Sequence, residues 1–205
     1  LHGVSYGNST FVALGHIGGP MLTSTDGITW TARSSGTSRF LWGITFGNST
    51  FVAVGFSGTI LTSSDNGTTW TSRTSGASSD LLGVTYGNST FVAVGGRVLT
   101  SSDNGTTWTS RTSGASSDLW GVTYGNGKFV AVGTDGTILT SPEGTNWVDR
   151  TDTDVISDTL EEVSYGNSTF ITVGGGTILT SSNGITWTVR TSGTSNTLYG
   201  VAYKE

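Results

Sequence analysis

Few side chains in this chain could do chemistry. Two histidines, His2 and His16, both fall within the first twenty residues, too few for a His-based metal site. Cysteine is absent, which removes disulfides, thiolate-bound metals and thiol nucleophiles together. The sequence holds no G-x-S-x-G elbow and no Walker loop, and its Gly-rich runs open turns where no helix follows to cradle phosphate. Carboxylates are densest in "DRTDTDVISDTLEE" at 149–162. Asp152, Asp154 and Asp158 are hard oxygen ligands that could gather round Ca²⁺, but the spacing misses the EF-hand pattern and its Gly. An acidic, solvated loop is the expectation there, and neither a metal nor a cofactor is assigned.

The regular spacing of the remaining candidates is informative. Arg33, Arg73, Arg111, Arg150 and Arg190 each follow a Trp by three residues, so they belong to a repeat. Aligning on L-x-G-V-x-Y-G-N gives units 1–40, 41–80, 81–118, 119–159 and 160–197, then a fragment "LYGVAY" at 198–203. The segment "SSDNGTTWTSRTSGASSD" at 63–80 recurs letter for letter at 101–118. A fixed period of about forty residues is the signature of a repeat architecture.

Inside a unit four short runs read as strands, "LWGITF", "TFVAVG", "TILTSS" and "TWTSRT" in the second copy. They are rich in Val, Ile, Thr, Phe and Trp, and Gly, Asn, Asp and Ser separate them. No window carries apolar residues at helical spacing. Four antiparallel strands per unit, repeated radially, predict one all-β domain over 1–205, a β-propeller of five blades with an extra C-terminal strand. Gly3, Gly43, Gly83 and Gly121 share one position of the inner strand, where a small residue lets neighbouring backbones approach. Glu162 breaks that rule in the fifth unit. Residues 198–203 are expected to pair with the first unit's sheet and join the two ends of a ring. The alternative is exchange with a second chain, giving self-association through this strand.

Composition narrows the partners. Thirty-two Gly against two Pro would suit a disordered chain, but seven Trp, six Tyr and eight Phe provide large buriable surfaces. The net charge of −5 comes without any Lys or Arg run, so nucleic acid is not an expected partner. No stretch reaches the roughly eighteen apolar residues of a membrane helix, and membrane insertion is not expected. Six N-x-S/T sequons begin at Asn8, Asn48, Asn66, Asn88, Asn104 and Asn167, all in turn-forming contexts. An extracellular or cell-surface location is the expectation.

"SSDNGTTW" at 63–70 and 101–108 resembles the Asp box, S-x-D-x-G-x-T-W, of sialidase-type (BNR repeat) propellers. Shorter forms stand at "STDGITW" (24–30), "SPEGTNW" (141–147) and "SSNGITW" (181–187). The resemblance implies a structural role for Asp26, Asp65, Asp103, Glu143 and Asn183 as turn acceptors. It implies the same for Trp30, Trp70, Trp108, Trp147 and Trp187 as rings packed between strands. In that family the box lies away from the active site, so it implies no catalytic residue here. Sialidase chemistry needs converging arginines, whereas one arginine per blade on the outermost strand is dispersed. The chain is therefore not expected to be an enzyme.

Positions that differ between copies are those the blade does not need. They concentrate at the second residue of the inner strand (His2, Trp42, Leu82, Trp120, Glu161, Tyr199) and in the turn after "FVAVG" (His16, Ile17, Phe56, Ser57, Arg97, Thr134, Asp135). Both sets belong on the face opposite the Asp boxes. Trp42, Phe56, Arg97, Trp120 and Tyr199 are the candidate ligand-binding residues. Exposed rings among polar groups suit sugar stacking or peptide docking. The expected function is a non-catalytic binding module for carbohydrate or protein. The alternative is a structural or assembly module of a larger surface protein or filament, with a sialidase-type hydrolase third.

Overall fold

A computed structural model describes residues 2–15, 19–152 and 156–203. The chain is all-β: five four-stranded antiparallel sheets, the five blades of a β-propeller. The first blade is β1 (Val4–Gly7), β2 (Thr10–Ala13), β3 (Met21–Ser24) and β4 (Thr31–Arg33). The second is β5 (Leu41–Gly47), β6 (Thr50–Gly55), β7 (Thr59–Ser63) and β8 (Thr71–Arg73). The third is β9 (Leu81–Gly87), β10 (Thr90–Gly95), β11 (Val98–Ser101) and β12 (Thr109–Arg111). The fourth is β13 (Leu119–Gly125), β14 (Lys128–Gly133), β15 (Ile138–Ser141) and β16 (Val148–Asp149). The fifth is β17 (Leu160–Gly166), β18 (Thr169–Gly174), β19 (Thr177–Ser181) and β20 (Thr188–Arg190). Strand order follows chain order in every sheet. Two compact units, Leu1–Ser110 and Arg111–Glu205, divide the chain. No helix among the described residues is long and apolar enough to cross a membrane.

Hairpin chemistry sets each blade's register. In the first blade Gly7 faces Thr10, leaving Asn8 and Ser9 at the corner with φ of 47° and 58°. Two consecutive left-handed residues make the tight turn whose twist matches a hairpin, and Asn is among the few side chains that accept that conformation. The aromatics flanking this turn then meet across the pair. Tyr86 and Phe91 lie 4.6 Å apart, and Tyr165 and Phe170 lie 4.5 Å apart. Phe51, Phe91, Phe129 and Phe170 are fully buried and anchor the blade cores.

Successive blades meet ring on glycine. In the first unit Phe46 lies on Gly7 and Tyr86 on Gly47, and in the second Tyr165 lies on Gly125. A Cβ at those glycines would stand 2.0–2.1 Å from the ring, so any side chain would expel it. The inner-strand glycines act similarly but less tightly: a Cβ on Gly43 would be 3.1 Å from Leu82 O, and one on Gly121 3.0 Å from Glu162 Cα.

The core of the first unit includes Val52, Val54, Ile60, Leu81, Phe91 and Leu99, with Trp108 and Tyr86 packed against them. A second cluster joins Leu14, Met21, Leu41, Ala53 and Leu61 under Trp70. In the second unit Val130, Ile138, Leu160, Phe170 and Leu179 are covered by Trp187 and Tyr165.

The box tryptophans are less enclosed than expected. Trp70, Trp108, Trp147 and Trp187 are half-buried, and Trp30 is 40% exposed. Trp70 and Trp108 each cap the apolar side of a neighbouring blade. Trp70→Ala should therefore cost about 2 kcal/mol, below the roughly 3–5 kcal/mol of a fully buried aromatic, which urea denaturation would measure.

The C-terminal strand does not form as expected. Residues 198–203 join no sheet, and the sheet of β1 is complete as β1-β2-β3-β4. Among the described residues no strand pairs with it. It is held at Tyr203, whose ring lies on Gly166.

Candidate functional site

Up-and-down strands send alternate connections to opposite ends of a blade, so each blade has two functional ends. One end carries the β1–β2-type hairpins and the turns that resemble Asp boxes, called boxes below. Asp65 shows how a box is built. Its Oδ1 accepts from Ser63 Oγ at 2.8 Å and from Thr69 N at 2.9 Å, and its Oδ2 accepts from Thr69 Oγ1 at 2.6 Å. Trp70 Nε1 closes the turn on Gly67 O at 3.0 Å. Asp103 repeats this geometry with Ser101 and Thr107. Asp26 does so with Ser24, Ile28 and Thr29.

These bonds favour the carboxylate form. The Thr107 backbone and hydroxyl bonds lower Asp103 to about 2, and the Thr29 hydroxyl with the backbone bonds of Thr29 and Ile28 holds Asp26 lower still. Burial pushes Asp65 upward, but the Thr69 and Ser63 bonds outweigh it. A depressed carboxylate stabilises the fold above its unfolded value, and that contribution is lost as pH falls through the folded one.

Substitution of the box acid has two outcomes. Asn183 replaces Asp faithfully: its Oδ1 accepts from Ile185 N at 2.8 Å, Thr186 N at 3.0 Å and Ser181 Oγ at 3.1 Å. Glu143 does not serve as the turn acceptor. Its carboxylate takes no hydrogen bond from the turn, and the Ser141 hydroxyl is buried without a partner. Asn146 stands where the other boxes have Thr, so the hydroxyl donor is missing, and the longer Glu side chain carries its oxygens beyond the turn.

The hairpin turns are latched to these boxes. In the first unit Asn8 Nδ2 donates to Asn66 Oδ1 at 2.7 Å, and Asn48 Nδ2 donates to Asn104 Oδ1 at 2.5 Å. In the second unit Asn126 Nδ2 reaches Ser182 O at 3.2 Å, and Lys128 Nζ reaches Asn183 O at 2.7 Å. Four sequon Asn side chains, Asn8, Asn48, Asn66 and Asn104, are thereby engaged in blade-to-blade contacts.

The opposite end carries the β2–β3-type connections and the segments that enter each inner strand. They are tied together blade by blade: Phe56 N donates to Phe40 O at 2.9 Å, Gly96 N to Asp80 O at 3.1 Å and Thr134 N to Asp118 O at 3.1 Å. The sequence-derived candidates fall here. In the first unit Trp42 stacks on Phe40, with centroids 5.3 Å apart and planes at 7°, and meets His2 edge-on at 5.0 Å. Its Nε1 is buried without an acceptor. Phe56 is 45% exposed, and Arg97 is exposed on the third blade's connection. Phe40 is absent from the sequence-derived candidates. Its signal is legible all the same, because the residue before the inner strand is Asp80, Asp118 and Thr159 in the next three blades.

The second unit presents Trp120, 40% exposed, with its Nε1 donating to Thr134 Oγ1 at 3.2 Å. Tyr199 is exposed on the 198–203 segment. Near the start of β17, burial raises Glu161 and pushes Glu162 up to about 7. A carboxyl raised on folding stabilises fully below its unfolded value, near 4.5, and loses that contribution as pH rises through about 7. Glu162→Gln should remove this dependence. The variant is expected to exceed the native chain by about 1–2 kcal/mol at about pH 8 and to match it at about pH 4, in urea melts at both values; partial exposure discounts the full shift.

Four of the repeat arginines bond within their own blades: the Nε of Arg33, Arg73, Arg150 and Arg190 donates to Thr23, Thr62, Thr140 and Thr180 respectively. Among the described residues no three His, Cys, Asp or Glu groups gather as for a metal ion. His16, Ile17 and Asp154 lie outside the described residues. A cleft of about 500 Å³ on the second unit is lined by Ile138, Leu179, Trp187 and Arg150. A cleft of about 630 Å³ with Leu61, Trp70 and Arg73 occurs on the first unit. Leu179 and Trp187 hold the same repeat positions as Leu61 and Trp70, so both clefts are products of blade packing.

No protein-family profile matches the chain, and no curated protein matches it. Solved structures do. YCF48 bound to a D1 peptide superposes with a TM-score of 0.67 at 21% identity, covering 91% of this chain and 64% of that one. YCF48 from Cyanidioschyzon merolae gives 0.67 at 18% identity, covering 91% and 70%. The WD40 propeller domain of Doa1 gives 0.70 at 11% identity, covering 97% and 67%. The chain thus spans less than two thirds of the peptide-bound YCF48 chain. At these identities the likeness is one of fold, and the fold it establishes is the β-propeller.

Proposed function

We propose that this chain is a non-catalytic, protein-binding propeller module, engaging partners at the end of its blades opposite the Asp boxes. The reading rests on the Phe40–Trp42–His2 stack beside Phe56, which is 45% exposed. A ring held on both sides loses little freedom on binding, and exposed Phe56 beside it offers apolar surface to a partner. YCF48 with its D1 peptide supports the reading, as a chain of this fold that holds a peptide. Carbohydrate is the second reading, favoured by Trp120, whose exposed ring is fixed by its bond to Thr134.

Selecting binders from a random peptide library, alongside a glycan array, tests the proposal. Peptide binding lost in Trp42→Ala and kept in Trp70→Ala supports it. Recovery of glycans alone would move the assignment to carbohydrate. Binders that tolerate Trp42→Ala and Phe56→Ala would overturn the site.

A further inference from the structure

Four Asn-Gly dipeptides stand in the chain, at Asn66, Asn104, Asn126 and Asn183. Asn followed by Gly is chemically labile, because glycine has no side chain to keep its backbone nitrogen off the Asn carboxamide. Three of the four are tied down by the box turns. Gly67 N donates to Ser63 Oγ at 2.9 Å, Gly105 N to Ser101 Oγ at 3.0 Å and Gly184 N to Ser181 Oγ at 2.8 Å, and all three glycines are buried. The fourth dipeptide forms the corner of the β13–β14 hairpin. There Asn126 and Gly127 are both exposed, and nothing lies within 4 Å of a Cβ on Gly127. The Gly127 N–H donates no hydrogen bond among the described residues. The corresponding corners of the other blades read Asn-Ser, at Asn8, Asn48, Asn88 and Asn167.

We infer that Asn126 is a self-modifying site, where spontaneous deamidation releases a latch between the fourth and fifth blades. The deprotonated Gly127 nitrogen attacks Asn126 Cγ, forming the N–Cγ bond while the Cγ–Nδ2 bond breaks and ammonia leaves. The cyclic imide then adds water at either carbonyl carbon, and the C–N bond there opens to Asp or isoaspartate. Amide and water become carboxylate and ammonium, with no change of oxidation state. The consequence follows from what the amide holds. Asn126 Nδ2 donates to Ser182 O at 3.2 Å, a longer bond than the 2.7 Å and 2.5 Å of the Asn8 and Asn48 latches. After conversion a carboxylate oxygen faces that carbonyl, so two acceptors meet and the bond is lost. Lys128 Nζ still holds Asn183 O, so the two blades loosen without separating. Ser182 and Asn183 belong to the fifth blade's box, and that turn is the piece released.

Ageing the full chain at mildly alkaline pH and digesting it with trypsin tests this, because the peptide 112–128 contains Asn126 and no other Asn. Mass spectrometry should show Asn126 converting at least about tenfold faster than Asn66, Asn104 or Asn183, the equivalent of about 1.4 kcal/mol or one hydrogen bond on the attacking nitrogen. In urea, where the serines release those nitrogens, the four rates should converge. Gly127→Ser should slow Asn126 by a similar factor and still fold, since Ser9, Ser49, Ser89 and Ser168 hold the same corner at φ between 57° and 62°. Asn126→Asp, which installs the product, should speed amide exchange several-fold at 182–186 and leave the 65–69 turn unchanged. Equal rates at the four sites in the folded chain would overturn the site. So would a rate difference that persists in urea, which would assign it to local sequence. Exchange at 182–186 indifferent to Asn126→Asp would overturn the latch.

Discussion

Gly55→Ala is expected to cost about 3 kcal/mol, at the upper end of what one added methyl does in a packed core. The new Cβ would stand 1.9 Å from Phe40 O and 2.9 Å from Leu41 Cα, both backbone atoms. No rotamer relieves a clash with main chain, so the strand entry must move. That entry is fixed by the Phe56 N to Phe40 O bond and by the Leu41–Gly55 pairing, where the register shifts by one residue. Gly76→Ala is the control: nothing lies within 4 Å of its Cβ, and only its φ of +69° resists a side chain. It should cost about 1 kcal/mol. Urea midpoints compare the pair, and equal losses would mean that the 40–41 entry yields freely.

Phe91→Ala should cost about 3–5 kcal/mol, the range for emptying a buried aromatic site. The ring is 1% exposed and packs with Val52, Ile60, Leu81 and Leu99. It also touches Tyr86, which sits on Gly47 of the preceding blade. The cavity therefore loosens one blade and its seat on the next. A loss under about 1 kcal/mol would mean that Tyr86 collapses into the space and the ring-on-glycine contact is soft.

The blades are legible in the sequence because repetition separates what the fold needs from what it permits. The period, the four strand-like runs and the turn residues are all local signals, and all five sheets follow them. The segment that resembles an Asp box reads as a turn clamp from Asp and Thr at fixed spacing. What the sequence misses is non-local. Trp30 has nearly the same sequence context as Trp70, yet it is 40% exposed, whereas Trp70 packs on the cluster of Leu14, Met21 and Leu61. Residues 198–203 match an inner strand, but a strand needs a hairpin partner to enter a sheet, and this one has only the Gly166 seat. Glu143 reads as a conservative acceptor, but Asn146 beside Trp147 removes the hydroxyl that completes the clamp, and Ser141 loses its partner. At the candidate site, variation between copies marks Trp42 and Phe56, whereas stacking on Phe40 depends on the path of the preceding connection.

The proposed binding end of the blades lies opposite the box turns. Amide hydrogen exchange of the chain with and without a library-selected peptide tests it directly. Slowed exchange is expected at 40–42 and 55–58 on binding, with the box turns at 65–69 and 103–107 unchanged. Protection confined to the box turns, with 40–42 and 55–58 unaffected, would contradict it.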